Sequence, residues 1–398
     1  MTTPGPDERR AWLRLVATTG LGRVAARRLL AACGSAEAVL ASPRSAIAGL
    51  VPARAAAALA EAPPGFDASV AALEEWLAGG ADRHLLALGD AAYPPLLLET
   101  ADPPLVLFVH GAVGVLSRPA LAIVGSRSPT AQGADNAHAF AGALARAGYT
   151  IVSGLAAGID AAAHEGALAA GAATVAVVGT GPDRVYPARH RDLAHRIVAG
   201  GALVSEFVPG TPPLERHFPQ RNRIIAGLTL GTLVVEAALR SGSLITARQA
   251  AEAGREVFAI PGSIHSPQSR GCHALIKQGA KLVESAADVQ DELRGEPAQR
   301  GAAAVASRSP APSGAAGAAE DAAGEPTAAA PPDGDRGDDA AAPDALLDAL
   351  GHDPISLDML AARTGWPAAT LAAKLLDLEL AGRVARLPGG WYQRRGRA

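Results

Sequence analysis

The chain has 398 residues, 49% of them hydrophobic but only 4% aromatic, with a formal net charge of −3. That length suggests about two to three domains, with cores resting on Ala, Leu and Val; no apolar run is long enough to cross a bilayer, and the opening MTTPGPDERR lacks the charged-then-apolar pattern of a signal peptide. Cys33 and Cys272 are expected to be free thiols of a reducing cytoplasm, and with no partners at ligand spacing they predict neither a bridge nor a metal site.

Residues 1–63 read as a bundle of short helices. Trp12, Leu13, Leu15 and Val16 give one apolar face, Thr18-Thr19-Gly20-Leu21-Gly22 a turn, and Val24, Leu29 and Leu30 the next face. Helix, Gly-x-Gly turn, helix is the pattern of a helix-hairpin-helix, whose turn amides hold a DNA phosphate with Arg23, Arg27 and Arg28 flanking it. An ordinary αα-hairpin that uses glycine for positive φ gives the same pattern. A second unit runs over 64–293. It starts with a predicted helix from Val70 to Leu77 and a strand from His84 to Leu88. Tyr93-Pro94-Pro95-Leu96 and Asp102-Pro103-Pro104-Leu105 are expected to be extended, because proline disfavours helix at and before it, and Leu105 to His110 predicts another strand.

Leu121 to Val124 is a short apolar run that ends in Gly125-Ser126-Arg127 and leads into an Ala-rich helical pattern from Gln132 to Ala147. The pattern recurs. Tyr149 to Val152 ends in Ser153-Gly154 before a helix from Ala161 to Ala170, and Ala173 to Val178 ends in Gly179-Thr180-Gly181. Ala202 to Ser205, Gly231 to Val235 and Glu256 to Ile260 are the later strands. Such alternation predicts an α/β fold with a parallel sheet covered on both faces, and ligands of such sheets bind beyond the carboxyl ends of the strands. The turn at Gly125-Ser126-Arg127 leaves unpaired amides at a helix N-terminus, where the helix dipole favours an anion, and Arg127 adds a planar fork that suits phosphate. Neither G-x-G-x-x-G nor G-x-x-x-x-G-K-[ST] occurs there, which argues against a nicotinamide or ATP enzyme.

Further along, His217-Phe218-Pro219-Gln220-Arg221-Asn222-Arg223 combines a base-stacking aromatic with two guanidiniums, the chemistry of single-strand binding; Phe218 in a core and Arg221 in a salt bridge is the plainer reading. Ser241-Gly242-Ser243 opens the helix from Leu244 to Glu252 as a second anion cradle. Glu236 is expected to orient Arg127 or Arg240, Asp160 to cap a helix or pair with an Arg, and His164 and His273 to be structural. Lys277 extends the basic rim. Residues 294–344, rich in Ala, Pro, Gly and Asp, are expected to form a disordered linker. Residues 345–398 predict three short helices, with Leu357, Leu360 and Ala361 inward in the second and Leu371, Leu375, Leu376 and Leu378 at helical spacing in the third, and a hairpin from Val384 to Tyr392, which together make a winged helix. The tract from Gly301 to Pro343 carries seven acids and two bases, so the remainder of the chain is net positive, and between Asp183 and Ala280 twelve Arg or Lys stand against seven Asp or Glu. The sheet region is locally basic.

Five phrases in order, IVGSR (Ile123 to Arg127), SGLAAGIDAAAH (Ser153 to His164), HFPQRNRIIAGL (His217 to Leu228), EAALRSGSLITARQA (Glu236 to Ala250) and PGS with GCHALIKQGA (Gly271 to Ala280), resemble the bacterial DNA-processing protein A family, DprA or Smf. The resemblance implies an extended Rossmann-like domain with added edge strands, an N-terminal helical domain and a C-terminal winged helix. It also implies a non-catalytic, cytoplasmic homodimer that binds single-stranded DNA without sequence preference, protects it and helps load the RecA recombinase during natural transformation. No cofactor is implied. The DNA contacts expected on both grounds are Gly125, Ser126, Arg127, Ser153, Gly154, Gly181, His217, Phe218, Arg221, Asn222, Arg223, Ser241, Gly242, Ser243 and Lys277. The rival reading is a nucleotide phosphoribohydrolase, whose Gly-Gly-x-Gly-Thr loop and Glu are echoed by Gly231-Thr232 and Glu236, although the leading glycine pair is missing.

Overall fold

The computed structural model of the protein describes residues 4–294 and 342–395. The expected linker falls, from 295 to 341, outside the described residues. Six helices come first: α1 (Pro6–Ala17), α2 (Arg23–Cys33), α3 (Ala36–Ala41), α4 (Arg44–Ile47), α5 (Ala53–Ala60) and α6 (Phe66–Ala78). Pro6, Asp7 and Glu8 suit the first turn of α1, and Ser35 caps α3 by accepting from Ala38 N at 3.1 Å. The bundle buries Trp12, Leu13, Leu15, Leu29 and Val39 together with Phe66, Leu73 and Trp76 of α6.

This core does not stop at residue 63. Strands β1 (Arg83–Ala87) and β2 (Val106–Gly111) pair antiparallel, and their alternate residues Leu85, Ala87, Val106 and Phe108 join the helical bundle while Leu86, Leu107 and Val109 face the main sheet core. Phe108 is fully buried, with Trp76 edge-on to it at 6.2 Å. Truncating such a Phe costs about 3–5 kcal/mol, so the N-terminal unit is anchored to the sheet edge. Between the two strands, α7 (Pro95–Leu98) corrects the expectation of an extended YPPL segment. Proline is tolerated in the first helical turn, where its missing N–H has no partner to lose.

The rest of the sheet comprises β3 (Ala120–Val124), β4 (Thr150–Ser153), β5 (Thr174–Val178), β6 (Ala202–Ser205), β7 (Gly231–Val234), β8 (Glu256–Ala259) and β9 (Lys281–Leu282). The strand order is β1-β2-β6-β5-β4-β3-β7-β8-β9, with every pairing from β6 to β9 parallel. Strands β3 to β7 are buried along their whole length, as near-continuous Val, Leu, Ile and Ala runs require. The chain runs from β3 through β4, β5 and β6 in one direction, then returns to place β7 on the other side of β3. That reversal is a topological switch point, and it opens a crevice beyond the carboxyl ends of β3 and β7.

The faces are covered by α8 (Ala131–Arg146), α9 (Ile159–Ala169), α10 (Arg191–Gly200), α11 (His217–Gly227), α12 (Ser243–Glu252), α13 (Arg270–Lys277) and α14 (Ala286–Arg294). Ala137, Ala141, Ala163 and Ala167 lie fully buried in the α8 and α9 layer, so small side chains stand in for the scarce aromatics. Cys33 and Cys272 are unbridged. The C-terminal unit has α15 (Ala342–Leu350), α16 (Leu357–Thr364), α17 (Ala368–Leu380) and a sheet of β10 (Ile355–Ser356), β11 (Val384–Leu387) and β12 (Trp391–Arg394). It is the expected winged helix. Leu360, Leu371, Leu375 and Leu378 point inward, but Leu376 is 54% exposed because it sits one position off the buried stripe of α17. Arg363 of α16 pairs with Asp135 of α8 at 2.9 Å.

Candidate nucleic-acid interface

The turn after β3 is held from both sides. Ser126 N donates to Glu236 O at 2.7 Å, Ile159 N donates to Ser126 O at 3.1 Å, and Ser126 Oγ accepts from Ser128 N at 3.1 Å. A Cβ at position 125 would stand 2.6 Å from Ile159 and 2.8 Å from the Glu236 carbonyl, and one at Gly158, where φ is +81°, would collide with the Ser126 carbonyl. Glycine at both positions is therefore a packing requirement, and it fixes where Arg127 leaves the backbone. Arg127 is exposed and pairs with no carboxylate among the described residues. Its guanidinium lies over the Phe218 ring, 5.5 Å from the centroid.

Phe218 lies in the first turn of α11, and Pro219 again occupies a first helical turn. Phe218 also meets Tyr186 at 5.7 Å and 39°, and Tyr186 is 49% exposed. Arginine, phenylalanine and tyrosine thus form one open platform of π faces and charge. Tyr186 was not anticipated from the sequence. The signal for it was available, since it is one of only four tyrosines and lies in a turn with Arg184, Arg189 and Arg191.

The other cations of α11 behave differently. Arg221 is 4% exposed, and its Nη1 donates to Gly154 O at 2.7 Å and to Val177 O. Burial pulls its pKa down to about 10, against the support of Asp160, so it remains protonated at neutral pH. Asp160, whose carboxyl burial pushes up, accepts from Gly154 N at 3.0 Å and Ala156 N at 3.4 Å. Arg223 turns away from the crevice: it donates to Glu206 and, at 2.5 Å, to Asp102 O. Asp102 also takes Arg23 at 2.6 Å and Arg27 at 2.7 Å. Burial alone would raise the Asp102 carboxyl, but the hydrogen bonds from Arg23 and Arg27 hold it below the usual range. The Arg23 and Arg27 expected to flank a phosphate are spent on joining α2 to this hub. His217 is buried, stacked on Phe207 at 4.0 Å, with Nδ1 3.2 Å from Gly179 O.

Across the crevice, Ser241 Oγ lies 2.7 Å from Ser243 Oγ, and Asn222 Nδ2 donates to Gly242 O at 3.4 Å. Gly242 is the N-cap of α12 with no side-chain cap and open space on its Cα, but the first amides of α12 are engaged: Ser243 N donates to Ser241 Oγ at 3.4 Å, Leu244 N to Ser241 O at 3.2 Å and Ile245 N to Gly242 O at 3.1 Å, so this terminus favours an anion through its dipole rather than through free amides. Glu236 does not orient Arg127 or Arg240. It accepts from Thr130 N at 2.9 Å and Thr130 Oγ1 at 2.5 Å, and so secures the N-terminus of α8. Burial pushes its carboxyl up.

These parts enclose a cleft of about 720 Å³. It brings together Gly125, Ser126, Arg127, Phe218, Arg221, Asn222, Ser241, Gly242 and Ser243, and adds Ser128, Tyr186, Arg240, Gln268 and the exposed Glu215. Ser153, Gly154, Gly181, His217, Arg223 and Lys277 are not in its lining. Ser153 is fully buried, donating to Ile123 O at 2.6 Å, Gly181 is packed against Asp183 and Val208, and Lys277 sits at the far end of α13. Among the described residues, no helix is long and apolar enough to cross a membrane, and no group of three or more His, Cys, Asp or Glu side chains is placed to hold a metal.

Comparison with known proteins decides the lineage. The sequence model of the family described as DNA recombination-mediator protein A matches residues 84–294, with its winged-helix companion over 325–390 and its N-terminal helix-hairpin-helix companion over 6–63. The chain belongs to this family. Protein Smf of Escherichia coli is 43% identical over 316 residues, covering 79% of this chain and 78% of its relative, and DNA processing protein DprA of Streptococcus pneumoniae is 50% identical over 204 residues, covering 51% and 72%. The crystal structure of the Streptococcus pneumoniae protein superposes with a TM-score of 0.64 at 38% identity, over 74% of this chain and all of that one. The DNA recombination-mediator fold here is therefore an extended, mostly parallel sheet with a helical unit before it and a winged helix after it.

Proposed function

We propose that this recombination mediator binds single-stranded DNA, without sequence preference, in the cleft at the β3 and β7 switch point. The observation that carries the reading is the free Arg127 guanidinium lying 5.5 Å above the Phe218 ring at the mouth of that cleft. A guanidinium neutralises phosphate, an aromatic ring stacks on any base, and the exposed Arg240 of the same lining, with the positive end of the α12 dipole, favours a second phosphate. Direct contacts are assigned to Gly125, Ser126, Arg127, Phe218, Asn222, Ser241, Gly242 and Ser243, with Arg221 contributing positive potential from beneath. The protein acts in the cytoplasm as a homodimer that shields incoming strands and aids RecA loading in transformation, and the dimer raises affinity through effective concentration. A binding role without catalysis is supported over nucleotide hydrolysis because the Glu236 carboxylate is committed to Thr130 rather than turned toward the cleft. Arg127→Ala is expected to weaken oligothymidine binding in fluorescence anisotropy by more than about tenfold while the circular dichroism spectrum stays unchanged. Wild-type affinity in that variant would refute the reading.

A further inference from the structure

Tyr186 does not only back Phe218. It is also a wall of a second, smaller cleft of about 350 Å³, whose lining includes neither Arg127 nor Phe218. The two clefts meet at this half-exposed ring. The second cleft is lined by Arg184, Arg191 and His195 against a single carboxylate, Asp183. Asp183 is partly spent: its Oδ1 accepts from Gly210 N at 2.8 Å to hold the neighbouring loop, and its Oδ2 stands 3.6 Å from Arg184 Nε, longer than a hydrogen bond. Arg184 is 52% exposed. Arg191 pairs with no carboxylate among the described residues. It is also the first residue of α10, whose N-cap His190 provides no side-chain cap because its ring faces Leu155 O at 2.9 Å. Arg191 and His195 are four positions apart on that helix, so they share one face.

We propose that this second cleft is a phosphate subsite for the same single strand, and that Tyr186 is the ridge over which the strand passes, with a base stacked on its ring. The inference rests on the reading of the main cleft as the single-strand site. Its chemistry differs from the main cleft: the phosphates meet two exposed guanidiniums, Arg184 and Arg191, at the positive end of the α10 dipole. The occupant is the sugar-phosphate chain extending from the main cleft. The footprint then spans both clefts, and its length is set by the ridge between them.

The test uses the full chain and oligothymidines of graded length in fluorescence anisotropy at several salt concentrations. The double variant Arg184→Ala, Arg191→Ala is expected to bind the shortest oligomers as the wild type does, but to lose the affinity that longer oligomers gain. For long oligomers its slope of log affinity against log salt is expected to fall by about 1.4, two phosphates at about 0.7 each. Arg127→Ala weakens every length. A double variant that binds long oligomers with wild-type affinity and salt slope, while Arg127→Ala is impaired, overturns the second subsite and leaves the main cleft standing. An unimpaired Arg127→Ala overturns the main-cleft reading, and the subsite with it.

Discussion

Phe218→Leu separates the two halves of the proposed binding chemistry. Leucine keeps an apolar side chain in the half-buried position beside Gly179, where a Cβ on that glycine would already lie 3.0 Å from the ring, so α11 and the cleft wall persist. What disappears is the π face that carries Arg127 at 5.5 Å and meets Tyr186 at 5.7 Å. Stacking of one base on an aromatic contributes about 1–3 kcal/mol, which corresponds to a loss of roughly five- to 150-fold in affinity. The cation–π contact, about 0.5–1 kcal/mol at an exposed site, acts in the free protein and holds Arg127 in place, so its loss adds only the cost of ordering that side chain. No phosphate contact is removed. The slope of log affinity against log salt should therefore stay at its wild-type value while the affinity drops at every salt concentration, whereas Arg127→Ala should lower the slope by about 0.7. Anisotropy titrations of both variants from low to moderate salt give the two numbers directly. A Phe218→Leu protein that keeps wild-type affinity, or that loses affinity only through a changed salt slope, would show that no base stacks there.

Two further expectations concern stability. Asp102→Asn keeps the side-chain shape but strips the counter-charge from Arg23, Arg27 and Arg223, leaving Glu206 alone among them; breaking a buried pair costs about 3–5 kcal/mol, and because Asp102 is 32% exposed about 2 kcal/mol is expected, read as a lower urea midpoint, with an unchanged midpoint counting against the hub. His164 is fully buried, its Nδ1 donates to Thr174 Oγ1 at 2.7 Å because that hydroxyl is itself committed to Ile151 O, and its Nε2 has no partner. Burial, with lesser repulsion from His190 and Arg221, pulls its pKa from 6.5 down to about 3. A depressed folded pKa means that the neutral ring's contribution is complete above about pH 6.5 and is lost as pH falls toward 3, by up to about 1.4 kcal/mol per pH unit. His164→Asn should flatten the acid limb of stability against pH by about one proton's worth, and superimposable limbs for variant and wild type would exclude this group as the cause.

The sheet was legible because its strands are continuous runs of β-branched and aliphatic residues ending in glycine or serine, and burial on both faces leaves such runs no other pattern to show. Helix α11 was not, since HFPQRNR has no apolar period before Ile224 and Ile225 and carries a proline, so its helical state comes from packing against β5 rather than from propensity. The same limit applies to direction. Sequence shows that Arg221 and Arg223 exist near a strand-end loop, but which way each guanidinium turns is decided by carbonyls of Gly154 and Val177 in one case and by Glu206 and Asp102, brought from distant segments, in the other. Arg127 was predictable because the strand, turn and helix that place it at a strand end are contiguous in sequence, although its turn is held by Ile159 and Glu236 and its ring contact is with Phe218, all from distant segments. Tyr186 needed the fold, because its partner Phe218 lies on another element.

The regional excess of base over acid between Asp183 and Ala280 invites the idea of a broadly positive groove, yet several of those charges are committed elsewhere. Arg223 is held by Glu206, Arg255 by Glu99 and Arg196 by Glu165. What keeps the main cleft cationic is the disposal of its acids: Glu236 serves the α8 terminus, Asp160 serves two amides beside Arg221, and of the lining carboxylates only Glu215 stands on the exposed rim. Arg127 and Arg240 are then the exposed guanidiniums of that lining without a carboxylate partner among the described residues. Two phosphates neutralised at about 0.7 each give a salt slope near −1.4 for an oligomer confined to this cleft. A much steeper slope for the shortest oligomer that binds would mean that cations outside this lining take part, and the charge count along the sequence would then be the better guide.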